Sequence, residues 1–400
     1  MKKIFEGLKV IDCGSFIAAP AAATILSDFG ADVIKIEPPG TGDPYRQLPK
    51  FPGNPESDHN YGWMVDNRNK RGLALDIAKQ EGQAVLSRLV SQADVFITNY
   101  PLGVRQRLGI GYEALAHLND RLIYASFSGY GERGEEANKP GFDMTAWWAR
   151  SGMMDQVRPA AAADPAKPTI GMGDHPSAVT LFASIVTALY QRERTGKGAQ
   201  VGSSLLANGL WSNAFLAQAA LCGAKFIDRP PREQSFNAMV TYYRCRDRRW
   251  LLLTIANEER QWPVLAECLG QKDLIDDPRF LARADRHARA AELIAILDEV
   301  FATKDRSDWR AILNANGIIF EAVATPEDIP EDQQLLANEV LIPFEGDTML
   351  TVDSPFLVEG AEKVQPRQAP SVGQHSDEVL GEAGYDEAAI QGLRECGAIG

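Results

Sequence analysis

The sequence predicts an α/β chain. Its large domain is a doubly wound, Rossmann-like parallel sheet, accompanied by a smaller α+β domain. Three observations lead there. In the first half of the chain, short strand-like apolar segments alternate with helical stretches, the pattern of a parallel sheet wound on both faces. Beyond residue 225 the pattern changes to a hairpin signal followed by helices. Finally, 400 residues exceed the about 250–300 that one core sustains, which favours two domains.

Taken in order, residues 8–12 read as a buried strand and residues 20–29 as a helix, with Gly30 where a C-terminal cap belongs. Strands follow over 31–37 and 73–76, the first closed by a Pro-Gly turn cluster. A helix over 79–91 precedes a strand over 94–98, and a helix over 112–119 precedes a strand over 122–127. Residues 175–195 form a long amphipathic helix stopped by Gly196, and a second helix is expected over 203–221. Pro230-Pro231, within residues 228–232, marks a linker. Residues 240–245 and 250–255 flank a turn, and helices are expected over 261–269, 289–302 and 307–316. From residue 343 strand-like residues return, then a short helix over 376–383. The expected organisation is a large domain over 1–200 and 340–400, a linker helix over 201–224, a small domain over 225–330 and a second linker over 331–339.

A net charge of −13 argues against a nucleic-acid partner, which needs a basic face. No apolar run approaches the about 20 residues that span a bilayer, and the N-terminus lacks a signal-peptide pattern, so the expected location is the cytoplasm. Five cysteines and five histidines are scattered without metal-ligand spacing, and no metal is expected.

The segment Gly171-Met172-Gly173-Asp174-His175-Pro176 carries the most chemistry. Its glycines allow positive φ or close approach of a ligand, and Asp174 opens the long helix. Asp174 could simply cap that helix. Equally, the helix terminus could hold an ionised carboxylate beside amides suited to an oxyanion. Position alone does not decide between the two.

The company of this segment does more. Phe16-Ile17-Ala18-Ala19-Pro20, Ile36-Glu37-Pro38-Pro39-Gly40-Thr41-Gly42-Asp43, Asp66-Asn67-Arg68-Asn69-Lys70-Arg71-Gly72, Asp94-Val95-Phe96-Ile97-Thr98-Asn99, Gly141-Phe142-Asp143 and Gly373-Gln374-His375-Ser376 stand in order around it. Together they resemble the class III coenzyme A transferase family (CaiB/BaiF type). The resemblance runs from residue 7 to residue 385 and is nearest to the branch acting on 2-hydroxy acids and aryl acrylates.

That resemblance implies a covalent mechanism in which Asp174 attacks an acyl-CoA thioester, with amides near Gly171 and Gly173 stabilising the oxyanion. It implies coenzyme A as an acyl-CoA co-substrate, a carboxylic acid as acceptor, and an interlocked homodimer. Leu75, Asn99 and Arg107 fall where the family holds the coenzyme. Arg46, Lys70 and Arg71 are further candidates for its phosphates. Formyl-CoA transferases carry a Gln at the position of Ile17, whereas here Ile17, Phe142, Trp147 and Trp148 imply a pocket for a bulkier, aromatic or 2-hydroxy acid. An α-methylacyl-CoA racemase would need a His where Phe142 stands. A dinucleotide oxidoreductase would need G-x-G-x-x-G where Gly14-Ser15-Phe16-Ile17-Ala18-Ala19 stands. A non-enzymatic partner subunit of a two-subunit transferase would lack Asp174.

Overall fold

The computed structural model describes residues 3–400. The chain forms two compact units. One comprises residues up to Gln156 with Lys167–Cys222 and Gln333–Gly400; the other comprises Val157–Ala166 with Gly223–Asp332.

In the first unit, β1 (Lys9–Cys13), β2 (Asp32–Glu37), β3 (Arg71–Ala74), β4 (Val95–Thr98), β5 (Ile123–Ser128) and β6 (Ala199–Ser204) make one sheet in the order β3-β2-β1-β4-β5-β6. Every neighbour pair is parallel, with Val10 opposite both Val33 and Val95 at the centre. Between strands run α1 (Ala18–Asp28), α2 (Tyr61–Asn67), α3 (Gln80–Val90), α4 (Leu102–Arg107), α5 (Tyr112–Ala116), α6 (Met153–Gln156) and α7 (Asp174–Thr195). The strand order reverses between β1 and β4, which opens a crevice beyond their carboxyl ends.

Alternation along each central strand feeds two separate cores. Val10, Val33, Ile97 and Ala125 pack with α1 and α7 through Leu26, Phe29, Leu181 and Ile185. Ile11, Ile34, Phe96 and Tyr124 point the other way and pack with α3 through Val85, Leu86 and Val90. Because both faces are covered, these strands read as near-continuous apolar runs.

The expected helix over 203–221 needs correcting at its start. Residues up to Ser204 belong to β6, an edge strand, and Ser204 then caps α8 (Leu205–Ser212) by accepting from the Ala207 amide at 3.1 Å. Asn213 interrupts the helical run, donating to the Ser151 carbonyl at 3.2 Å, before α9 (Ala214–Leu221).

The second unit contains an antiparallel sheet of β7 (Tyr242–Arg244), β8 (Trp250–Leu253) and β9 (Phe320–Ala322) with α10 (Glu258–Cys268), α11 (Arg283–Ala288), α12 (Ala290–Phe301) and α13 (Arg306–Ala315). Tyr243, Trp262, Phe280, Phe301 and Trp309 fill its core.

The chain then returns to the first unit with α14 (Gln333–Ala337), the antiparallel pair β10 (Leu341–Pro343) and β11 (Leu350–Val352), α15 (Ser376–Glu382) and α16 (Glu387–Glu395). Val379, Leu380, Ile390, Leu393 and Ile399 complete the core on the α3 face of the large sheet. No helix among the described residues is long and apolar enough to cross a membrane.

A candidate active site at the head of the long helix

The loop after β1 is the floor of the site, and buried charge fixes it. Lys35 on β2 donates to the Gly14 carbonyl at 2.5 Å and pairs with Asp43 at 3.0 Å. Asp12 pairs with Lys70 at 2.8 Å and accepts from the Gly14 amide at 3.1 Å. Such charges are tolerable in a dry interior only when their lone pairs and protons are all matched. Burial, eased by Asp12, lowers the Lys70 ammonium to about 8. Asp43 also accepts from the Phe16 amide at 3.1 Å. Phe16 is thereby held at a φ of 61°, a conformation costly for a residue with a Cβ.

Beside this floor stands the head of α7. Gly171 has a φ of 83°, and Gly173, the residue that precedes the helix, makes no side-chain cap. Gly173 has no room for a side chain: a Cβ there would lie 2.3 Å from Asp143 Oδ1 and 2.5 Å from the Trp147 ring. Asp143 begins a π-helical turn over Asp143–Ala149, and its Oδ2 accepts from the Gly173 amide at 3.1 Å while Oδ1, also buried, has no partner among the described residues. Burial pushes the Asp143 carboxyl up, against the pull of the Gly173 and Gly171 amides.

Asp174 is the first residue of α7, so it is not the cap, and among the described residues its carboxylate accepts no hydrogen bond. Burial, then the Asp143 charge, push it up to about 7, with His175 pulling the other way. His175 reaches back to the Gly171 carbonyl at 3.0 Å through Nδ1 and to Asp66 Oδ1 at 2.9 Å through Nε2. Asp66 Oδ2 accepts from the Tyr45 hydroxyl at 2.7 Å.

Apolar surface lies next to these polar groups. Phe142 is exposed and meets Phe16 edge-to-face at 5.6 Å. Met172 and Ile170 are exposed, while Ile17, Trp147 and Trp148 are buried. The two tryptophan rings lie 4.9 Å apart, and neither indole N–H has a partner among the described residues. Among the described residues no group of three or more His, Cys, Asp or Glu is arranged to hold a metal ion.

The residues expected to bind a coenzyme are dispersed. Asn99 brackets Ser15, accepting from its amide at 2.9 Å and donating to its carbonyl at 2.7 Å. Arg46 forms a fork to Glu37 with both bonds at 2.7 Å, and its guanidinium lies 3.6 Å from the Trp63 ring centre. Lys70 is enclosed with Asp12. Arg71 sits at the amino end of β3, away from the crevice, and pairs with Asp32, Glu378 and Glu382. Leu75 is buried, its amide on the Glu37 carbonyl at 2.8 Å, and it bridges to Ile399. Arg107 ends α4 exposed to solvent with no protein partner among the described residues. Sequence reasoning did not find the Tyr45–Asp66–His175 chain; all three residues lie in or beside conspicuous segments, but nothing local pairs them.

Comparison with known proteins finds relatives of this chain in both sequence and fold. A sequence profile of CoA-transferase family III matches residues 5–376. The (R)-2-hydroxy-4-methylpentanoate CoA-transferase of Clostridioides difficile is 33% identical over 398 residues, covering 98% of each chain. The cinnamoyl-CoA:phenyllactate CoA-transferase of Clostridium sporogenes is 31% identical over 98% of this chain and 96% of its own. A crystal structure of a CAIB/BAIF family protein from Brucella suis superposes with a TM-score of 0.86 at 28% identity, over 96% of this chain and 100% of that one.

Proposed function

This chain belongs to CoA-transferase family III, and from that membership we propose that it moves coenzyme A between two carboxylic acids by covalent catalysis on Asp174. The observation that carries the reading is a half-buried carboxylate with no hydrogen bond, at a helix head beyond the carboxyl ends of a parallel sheet. A structural Asp at a helix start would stand one residue earlier and bond to the first-turn amides. An unpartnered one is available to attack.

In the first step an Asp174 oxygen adds to the donor thioester carbonyl and coenzyme A leaves as thiolate, giving a mixed anhydride. The thiolate then attacks the aspartyl carbonyl, releasing the donor acid as carboxylate and leaving an aspartyl thioester. The acceptor carboxylate displaces the thiolate from that thioester, forming a second anhydride. Attack of the thiolate on the acceptor's carbonyl yields the new acyl-CoA and restores Asp174. Each step exchanges one acyl bond for another, with no net proton and no redox change.

Burial that lifts Asp174 to about 7 also makes its carboxylate a stronger nucleophile once ionised. The Gly173 amide donates to Asp143, so oxyanion stabilisation by that amide requires Asp143 to share or release it when substrate enters. Phe16, Ile170, Phe142 and Met172 supply an apolar approach suited to a bulky, aromatic or 2-hydroxy acid, in keeping with the substrates named for the two Clostridium-group relatives. Arg107, without a partner among the described residues, is the cation we assign to a coenzyme phosphate. We further place the enzyme in the cytoplasm as a homodimer.

The test is Asp174→Ala. It abolishes exchange while circular dichroism stays unchanged, and hydroxylamine added during wild-type turnover with a donor such as cinnamoyl-CoA converts Asp174 to its hydroxamate, seen by peptide mapping. Residual exchange above a few per cent of wild type overturns the reading.

A further inference from the structure

The mechanism uses Asp174 and leaves its neighbour without a task. His175 is the second residue of α7, and its side chain keeps 49% of its surface exposed. Both ring nitrogens are nonetheless committed, Nδ1 to the Gly171 carbonyl at 3.0 Å and Nε2 to Asp66 Oδ1 at 2.9 Å. A carbonyl oxygen can only accept. Asp66 takes a second donor, the Tyr45 hydroxyl, on its other oxygen at 2.7 Å, as an anion does. Two acceptors facing one ring require both nitrogens to carry protons, so the geometry alone writes His175 as an imidazolium. The fit is built: Asp66 is buried on α2, and a Cβ at Gly171 would press on the imidazole at 3.1 Å.

We propose that His175 is a positioning residue, a cation latched between Asp66 and the Gly171 carbonyl that fixes the turn into α7 and holds Asp174 in its ionised form. This rests on the reading of Asp174 as the nucleophile. The charged and titratable groups around the ring are Asp174 on its own helix, Asp66 on α2 with Tyr45 and Lys70 behind it, and Asp143 across the turn. Of the cations near these three carboxylates, His175 is the one that acts on Asp174 and Asp143, while Lys70 reaches Asp66. Remove the imidazolium, and the cheapest relief is a proton on Asp174.

The titration directions agree. Burial works against the imidazolium, but the hydrogen bond and charge of Asp66 outweigh it and lift His175 to about 9, while Asp174 stands at about 7. Below the lower value the nucleophile is protonated. Above the upper value His175 loses a proton, drops one of its two bonds and no longer offsets the carboxylates. Activity is thus confined to a window bounded by the two residues.

The experiment is the pH profile of kcat/KM for an acyl-CoA donor in wild type, His175→Gln and Asp66→Asn, with Asp174→Ala alongside. His175→Gln moves the acid limb up by about one pH unit and erases the basic limb. Asp66→Asn moves the basic limb down toward the ordinary histidine value near 6.5. Limbs of His175→Gln that coincide with wild type overturn the inference; if Asp174→Ala is inactive in the same assay, the nucleophile reading survives, and if Asp174→Ala is active, that reading is what has failed. A second measurement needs no variant: nitrogen-15 spectra of the wild-type histidines resolve the protonation of the five imidazoles. One of them doubly protonated at pH 8 is the expected result, and none overturns the proposal.

Discussion

Gly173 shows how tightly single residues are specified at the head of α7. Its φ of −101° is open to any residue, so the demand for glycine is purely one of space. Gly173→Ala would drive a methyl into Asp143 and Trp147, and we expect a loss of about 1–3 kcal/mol in denaturant unfolding together with loss of activity. Asp174 makes the opposite prediction for stability. Its folded pKa of about 7 lies above the unfolded value of 3.8, so the folded state binds its proton more tightly. The fold is therefore penalised as pH rises from about 4 to about 7, and the penalty is complete above 7. Asp174→Asn should raise the melting temperature at pH 8, through a stabilisation on the order of 1 kcal/mol after solvent screening, and leave it unchanged near pH 4. Asp174 stood out in the sequence because glycines and a helix start surround it. The partner of His175 did not, because Asp66 lies 109 positions away and one sequence holds no record of that pairing.

Whole loops and strands follow a similar logic. The turn after β1 is bound from β2, the loop after β4 and the segment after β2 through Lys35, Asn99 and Asp43. Asn99→Ala removes both bonds to Ser15, and we expect a stability loss of about 1–3 kcal/mol with or without coenzyme A present. A residue whose only work is to hold coenzyme would lower ligand affinity and spare the apo-protein. The arginines separate in the same way. Arg107→Ala should raise KM for the acyl-CoA about tenfold, whereas Arg71→Ala, at the far end of β3, should leave KM unchanged. The central strands were plain in the sequence since both of their faces are buried. β6 was not, because Ala199-Gln200-Val201-Gly202-Ser203-Ser204 lies at the sheet edge with alternate residues in solvent, and so carries no apolar run. α16 was missed for a related reason, as only Ile390 and Leu393 of its nine residues are buried.

Across the molecule, Trp211, Phe215 and Leu221 on α8 and α9 are more than 80% exposed, an apolar surface that a lone soluble chain rarely leaves open. We expect light scattering to give twice the chain mass of 43.8 kDa at micromolar and nanomolar concentration, and Trp211→Glu with Phe215→Glu to shift the mass toward one chain. The closing of the α3 face by α15 and α16 carries a consequence for synthesis. Val379, Leu380, Ile390, Leu393 and Ile399 share a core with Ile11, Ile34 and Phe96, so that core cannot close until residue 399 has been translated. Through most of elongation the nascent large sheet therefore has one greasy face uncovered, a natural client for a ribosome-associated chaperone. The second unit, nearly continuous in sequence, has its full core available once residue 322 has cleared the exit tunnel. Ribosomes stalled after residue 370 should thus display a protease-resistant second unit tethered to a first unit that is still cleavable, and emergence of residues 371–400 should convert both units to resistance in one step.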